Sequence, residues 1–271
     1  MTDTVIKRNY GWKPSPPDSR DYKLKTVNPS VYSTIPSSVS LRSFEPEVYD
    51  QGEFSSCTGN ALVMATRMAR IKQGLGDRNL SRMFVYANER ILEKCLNEDS
   101  GAIIRDGAKV LSTMGVPDES IWPYTKFNLF LEPSQDAYKQ AVQDEVSTYL
   151  TVDQTLEEMK LCLTEEFPFV FGVTLFEAFE SAEVAKTGLV PMPSQTDKVI
   201  GGHAILCVGF DDNRYGGTFE VLNSWGNSWG DKGHCYFPYS YLTNPYYCSD
   251  LWTIRSVAPT DPNRQWVIPT V

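Results

Sequence analysis

Histidine is scarce: the 271 residues contain two, His203 and His234. A general base acting near neutral pH therefore has few candidates, because histidine is the side chain that titrates there unperturbed. The six cysteines, Cys57, Cys95, Cys162, Cys207, Cys235 and Cys248, lack metal-ligand spacing, so we expect no metal site. Their even number permits disulfides, but nothing marks a secreted scaffold, and we read them as mostly reduced. No apolar run approaches the ~20 residues of a membrane span. The first residues, Met-Thr-Asp-Thr-Val-Ile-Lys-Arg, lack the apolar core of a secretory signal. We therefore expect a cytoplasmic or otherwise intracellular protein with no membrane partner. Basic charge is also short, with 25 Lys and Arg against 34 Asp and Glu and a net charge of −9. Phosphate binding needs a basic face, so nucleic acid is excluded as a partner. Internal repeats and low-complexity tracts are absent.

What charge there is lies unevenly. Residues 1–28 hold six Lys or Arg and three Asp, a charge of +3, which leaves −12 on the rest. Such a segment can dock on an acidic body or stay solvated, and charge alone does not choose. Prolines at 14, 16 and 17 exclude a regular helix or central strand there. Tyr10, Trp12, Tyr22 and Tyr32 are more aromatics than a disordered linker carries. The segment therefore reads as chain lying extended over a surface. Beyond it, Ala61, Met64, Ala65, Met68 and Ile71 make a helical stripe over residues 57–73. Residues 81–95 and 105–114 are further helices, the second stopped by Gly115 and Pro117. Residues 169–175, 203–210, 218–222 and 234–237 are short β-favouring runs. A helical first half and a β-rich second half predict an α+β fold of two subdomains, with a cleft between them as the natural place for a site.

Three stretches could carry chemistry. Cys57 stands where a helix begins, and there unpaired N–H groups and the helix dipole favour a thiolate. The bland alternative is a small buried hydrophobe. Gln51 precedes it by six residues, and its amide can donate to an oxyanion together with the Cys57 N–H. His203 follows Gly201 and Gly202 and opens an apolar strand. Asn223 begins the run Asn-Ser-Trp-Gly-Asn-Ser-Trp-Gly, which is either an aromatic-anchored turn or the partner of His203. In the second case its side-chain oxygen fixes the imidazole tautomer, and Trp225 shields the bond from water.

Taken together, Gln51 to Cys57, Gly202-His203-Ala204, and Asn223-Ser224-Trp225-Gly226 with Trp229-Gly230 and Gly233 resemble the papain family of cysteine peptidases, in that family's order. The resemblance covers about residues 35–255. It departs from the family signature at Phe54, which replaces the first Cys of Cys-Gly-Ser-Cys-Trp, and at Thr58, which replaces the Trp. Without that cysteine the neighbouring disulfide cannot form, which points to the bacterial or viral branch.

The resemblance implies a papain-like two-subdomain fold. A pro-like segment would span 1–34 and a catalytic domain 35–255, with helices at about 57–140 and strands at about 165–255, followed by a tail from 256. It implies a thiol protease made as a zymogen, working without a cofactor on peptide or protein substrates. Cys57 would be nucleophile, His203 base and acid, Asn223 its orienter, and Gln51 an oxyanion donor. Ser100, Gly101 and Ala102 would pair with extended substrate, with Gly172, Gly202 and Trp225 lining the cleft. A pocket wall of Phe171, Gly172, Val173, Gly202 and Thr253 carries no acid and predicts an apolar preference. His234 reads as structural. A transpeptidase or amidase on the same residues, or an inactive papain-shaped binding module, are the alternatives. The segment before Ile35 is too short to be the family's helical pro-region. We expect part of residues 9–34 to lie over or beside the Cys57 cleft and restrain access, the alternative being an anchor on the back of the domain.

Overall fold

A computed structural model describes residues 8–24 and 35–258. Its elements in chain order are β1 (Trp12–Lys13), β2 (Ser38–Ser40), α1 (Cys57–Lys72), α2 (Arg82–Leu92), β3 (Ala102–Ile103), α3 (Ile104–Thr113), α4 (Gln135–Ala141) and β4 (Glu145–Thr151). There follow α5 (Leu156–Thr164), β5 (Phe169–Phe176), α6 (Ala182–Thr187), β6 (Val199–Asp211), β7 (Thr218–Leu222), β8 (His234–Pro238), α7 (Tyr239–Leu242) and β9 (Cys248–Ala258). The longer helices precede the large sheet, so the fold is α+β with helical and β-rich subdomains.

The stripe that marked α1 understates it. Residues 57–70 are buried all round, because the helix lies between α2 and α3 on one side and the sheet strands β6 and β9 on the other. A helix enclosed on every side needs small and apolar residues around its circumference. Helix α2 starts where Ser81 caps it, its hydroxyl accepting the Phe84 N–H at 3.0 Å. Helix α3 ends before Gly115, whose φ of 74° a side chain would oppose.

The sheet has the order β4-β9-β5-β6-β7-β8, and β2 pairs with the far end of β6 beyond the reach of β5. The four expected strands are present. Three others, the three-residue β2 and the longer β4 and β9, are not read from the sequence. β4 has a Ser/Thr-rich outer part and two register shifts against β9. β9 is broken by Asp250, at φ 58°. Both features hide the alternation that marks a strand.

Residues 8–24 cross the domain. β1 pairs parallel with β3, and farther on Lys23 bridges to Thr151 at the end of β4. The expected tail begins within β9, which runs to Ala258; residues 259–271 and the remainder of the segment before Ile35 lie outside the described residues. Among the described residues, no helix is long and apolar enough to cross a membrane.

Candidate active site

Two subdomains meet at Cys57. The cysteine is the first residue of α1, fully buried, and the backbone N–H groups of Ala204, Gly11 and Thr58 point toward its sulfur. Ala204 follows His203 on β6, so the thiol lies against the strand that carries the imidazole. His203 Nε2 lies 2.9 Å from Asn223 Oδ1. Its Nδ1 is buried without a hydrogen-bond partner. Trp225 covers the ring from one side, with centroids 5.6 Å apart, and Tyr10 meets it edge-on at 5.7 Å. Asn223 comes directly after β7, and its oxygen is held further by the Ser224 N–H at 2.8 Å. The Ser224 hydroxyl in turn donates to Gln51 Oε1 at 2.6 Å. That bond fixes the Gln51 amide, whose Nε2 donates to Phe54 O at 2.9 Å and reaches Asn9 O at 3.4 Å. Gln51, Cys57, His203 and Asn223 thus form one contiguous buried constellation.

Burial governs the protonation of this site. It pushes the Cys57 thiol up to about 11 against the N–H groups that would lower it. It presses His203 down to about 4, assisted by Arg8 and opposed by Asn223. The helix terminus alone favours a thiolate, but the covered site holds thiol and neutral imidazole.

The cover is residues 8–13, and all six expected substrate-binding residues touch it. The Ala102 N–H donates to Gly11 O at 2.7 Å. Gly101 has φ 73°, and a Cβ there would fall 1.9 Å from the same oxygen. Ser100 Oγ accepts from Lys13 Nζ at 3.2 Å. The Trp12 ring lies on Gly172, where a Cβ would come within 1.9 Å, and also on Gly202, where one would come within 2.9 Å. Trp225 faces Tyr10 and lies under the Arg8 guanidinium, 5.3 Å from its centroid. The segment is also tied by Arg8 to Asp50 at 2.5 Å and by Asn9 Nδ2 to Glu53 O at 2.6 Å.

Part of the expected pocket wall is corrected. Phe171, Val173 and Thr253 are fully buried in the core, and the Thr253 hydroxyl donates to Pro168 O at 2.9 Å. Neighbouring strand residues face opposite ways, so these point away from the groove. An acid takes part instead: Asp250 Oδ2 accepts from Trp12 Nε1 at 3.1 Å. Sequence reasoning also missed Glu89 on α2, fully buried, which accepts from the Thr58 hydroxyl at 2.7 Å and is pushed up to about 8 by burial. A Glu amid a helix gives no local sign that it turns inward. His234 is structural: Nε2 meets Glu45 Oε2 at 2.9 Å, and Nδ1 meets two backbone carbonyls. All six cysteines are free, and no cluster of metal-ligand type occurs among the described residues.

The buried Cys57, His203 and Asn223 lie together at the junction of a helical and a β-rich subdomain. The sequence matches the family described as papain family cysteine protease over residues 35–244, and the chain belongs to that family. It is 39% identical, across 97% of its length and 91% of the relative's, to an uncharacterized peptidase C1-like protein of Acanthamoeba polyphaga mimivirus. Xylellain, a cysteine protease from Xylella fastidiosa, superposes with a TM-score of 0.86 at 37% identity, covering 94% of this chain and 100% of that one. A procathepsin B from Trypanosoma congolense shares the fold at 14% identity, with a TM-score of 0.73 over 93% of this chain and 87% of its own. The chain is accordingly a papain-family cysteine peptidase, and its viral and bacterial relatives agree with the branch inferred at Phe54.

Proposed function

We propose that the chain hydrolyses peptide bonds through a thioester on Cys57, and that residues 8–13 hold it closed until they leave. The observation that carries the chemistry is the His203–Asn223 bond, which commits Nε2 and leaves Nδ1 free beside the strand position packed on Cys57. In the open site Nδ1 takes the thiol proton and the sulfur attacks the scissile carbonyl carbon. The Cys57 N–H and the Gln51 amide hold the oxyanion. The C–N bond breaks as His203 returns the proton to the leaving amine. Water, activated by the same nitrogen, then releases the acid and restores the thiol. Mass spectrometry of the products from a defined peptide mixture tests this reading. Peptides with new free termini are expected, whereas ligated peptides would mark a transpeptidase.

The closed state is supported by what the segment offers the sulfur. Gly11 turns its N–H toward Cys57 and its carbonyl oxygen toward the Ala102 N–H, while the Gln51 amide donates to Phe54 O and Asn9 O, so the Gly11 carbonyl is not held by that amide. The segment can therefore occupy the groove without being a good substrate.

Acid should open it. The closed site holds His203 near 4, below its ordinary 6.5, so protonation favours the open form as pH falls through that interval. Asp50 acts in the same direction at still lower pH, below its ordinary value of 3.8. Burial alone would raise it, but Arg8 and the Gly52 N–H outweigh this and hold it below its ordinary value. Its stabilising pair is thus lost in acid. The expected result is a red shift of Trp12 emission between pH 6.5 and 4, absent in Trp12→Phe. A Trp12 signal unchanged down to pH 4 would contradict the linkage.

A further inference from the structure

The groove filled by residues 8–13 is bordered by carboxylates, and the segment meets each with a donor. Arg8 pairs with Asp50 at 2.5 Å, and Lys13 with Glu93 at 2.9 Å. The Tyr10 hydroxyl donates to Glu180 at 2.5 Å. Asp250 Oδ2 receives both the Trp12 Nε1–H at 3.1 Å and the Ser15 N–H at 2.6 Å. Among the described residues, no Lys or Arg of the domain body forms an ion pair with any of the four. Once the segment leaves, Asp50 and Glu93 each keep one backbone N–H, from Gly52 and Ile103. Asp250 keeps neither of its two donors.

Asp250 is placed there by a local departure from strand geometry. Pairing between β5 and β9 shifts register after Val170↔Trp252 and resumes at Gly172↔Ser249, which leaves Asp250 inside the irregularity. Its φ is 58°, in the left-handed region that a side chain disfavours. Such a bulge re-aims a side chain, and here the carboxylate reaches the edge of the Trp12 ring. The slot around that ring includes Gly172 and Gly202, whose missing side chains leave room for a flat or long group.

We propose that Asp250 sets specificity at this slot, and that the enzyme takes basic peptides, with an arginine or lysine side chain entering where Trp12 now sits. The inference rests on the peptidase reading above. A long stem fits between glycine backbones, and its terminal N–H groups replace the donor that Asp250 loses. A leucine would cover the carboxylate and give it no donor, which is costly for a buried or half-buried charge. A glutamate would meet like charge. Asp50 and Glu93 extend the same preference along the groove, as complementary charge does at an interface.

The test uses the full chain carrying Cys57→Ala, Gly11→Val and Trp12→Ala, in which the segment can neither seat nor fill the slot and bound peptide is not consumed. Fluorescein-labelled alanine-rich hexapeptides with one Arg, Lys, Leu or Glu are titrated by fluorescence anisotropy. Arg and Lys peptides should bind about 10-fold tighter than the Leu peptide, with Glu weakest, and the difference should shrink with salt. Asp250→Asn should cut the Arg-to-Leu ratio by about 10-fold, and Asp250→Glu should restore part of it. Should Asp250→Asn misfold, Glu93→Gln provides the second variant and should lower the ratio less. Equal binding of Arg and Leu peptides, no binding of any, or a ratio indifferent to Asp250→Asn overturns the proposal. The same peptides given to the Gly11→Val, Trp12→Ala chain with Cys57 intact separate the two readings. Selective binding without cleavage contradicts the peptidase chemistry and supports the basic preference, whereas cleavage without selectivity contradicts the preference alone.

Discussion

Full-length protein carrying Gly11→Val should hydrolyse peptides about 10- to 100-fold faster than the wild type, the range expected when a mostly closed two-state equilibrium is released. A Cβ on Gly11 would lie 1.9 Å from the Ser55 carbonyl oxygen and 2.6 Å from its carbon. Both are backbone atoms and cannot swing aside. The segment must therefore lift, which takes the Gly11 N–H from the sulfur and the Tyr10 ring from His203. Cys57 and His203 regain water, and the thiolate–imidazolium pair that burial suppresses becomes accessible. Cys57 should accordingly react faster with iodoacetamide at neutral pH. Arg8→Ala should activate less, by a few-fold at most, because an ion pair with a half-exposed partner contributes about 1 kcal/mol or less. Deleting residues 1–34 should match Gly11→Val. A folded Gly11→Val protein with unchanged kinetics would reject the cover model and leave the segment as an anchor.

Cys57→Ala or His203→Ala, each made with Gly11→Val so that opening is not limiting, should lower kcat/KM by about 10^4 or more. The two act on one proton and one bond, so the double variant should be no worse than either single one. Asn223→Ala should cost less, about 10- to 100-fold, the range for a residue that aims another group without touching the reacting atoms. Its effect should fall mainly on kcat. A steady-state comparison of the four variants checks this, and a Cys57→Ala protein retaining a tenth of the activity would remove Cys57 from the nucleophile's role.

The site was legible because its residues are rare types in fixed surroundings. With two histidines in the chain, His203 could be weighed against a single rival, and the Asn-Ser-Trp-Gly run gave it a partner. Helices α1, α2 and α3 were legible from a stripe over 57–73, a start at Ser81 and a stop at Gly115, whereas the shorter α4 to α7 were not. The segment's docking was half legible: its prolines and aromatics said that it would lie extended over a surface, and the family resemblance put that surface at the cleft, but neither said which residues there would take it. That choice depends on Gly11, Gly101, Gly172 and Gly202 being brought together, which no local pattern encodes. Asp250 was illegible for a related reason. A polar residue within a short β-favouring run reads as a strand end, whereas here it sits in a bulge that turns its carboxylate into the groove. Glu89 shows the same limit, because its inward direction follows from how α2 packs on α1.

The most direct test is to find the covalent intermediate. Gly11→Val protein is mixed with a peptide ester, quenched in acid during turnover, digested and mapped by mass spectrometry. The account predicts the substrate's acyl group on the peptide carrying Cys57, and none on Cys95, the partly exposed thiol. An acyl group on another residue, or undiminished turnover in Cys57→Ala with no adduct at all, would contradict it.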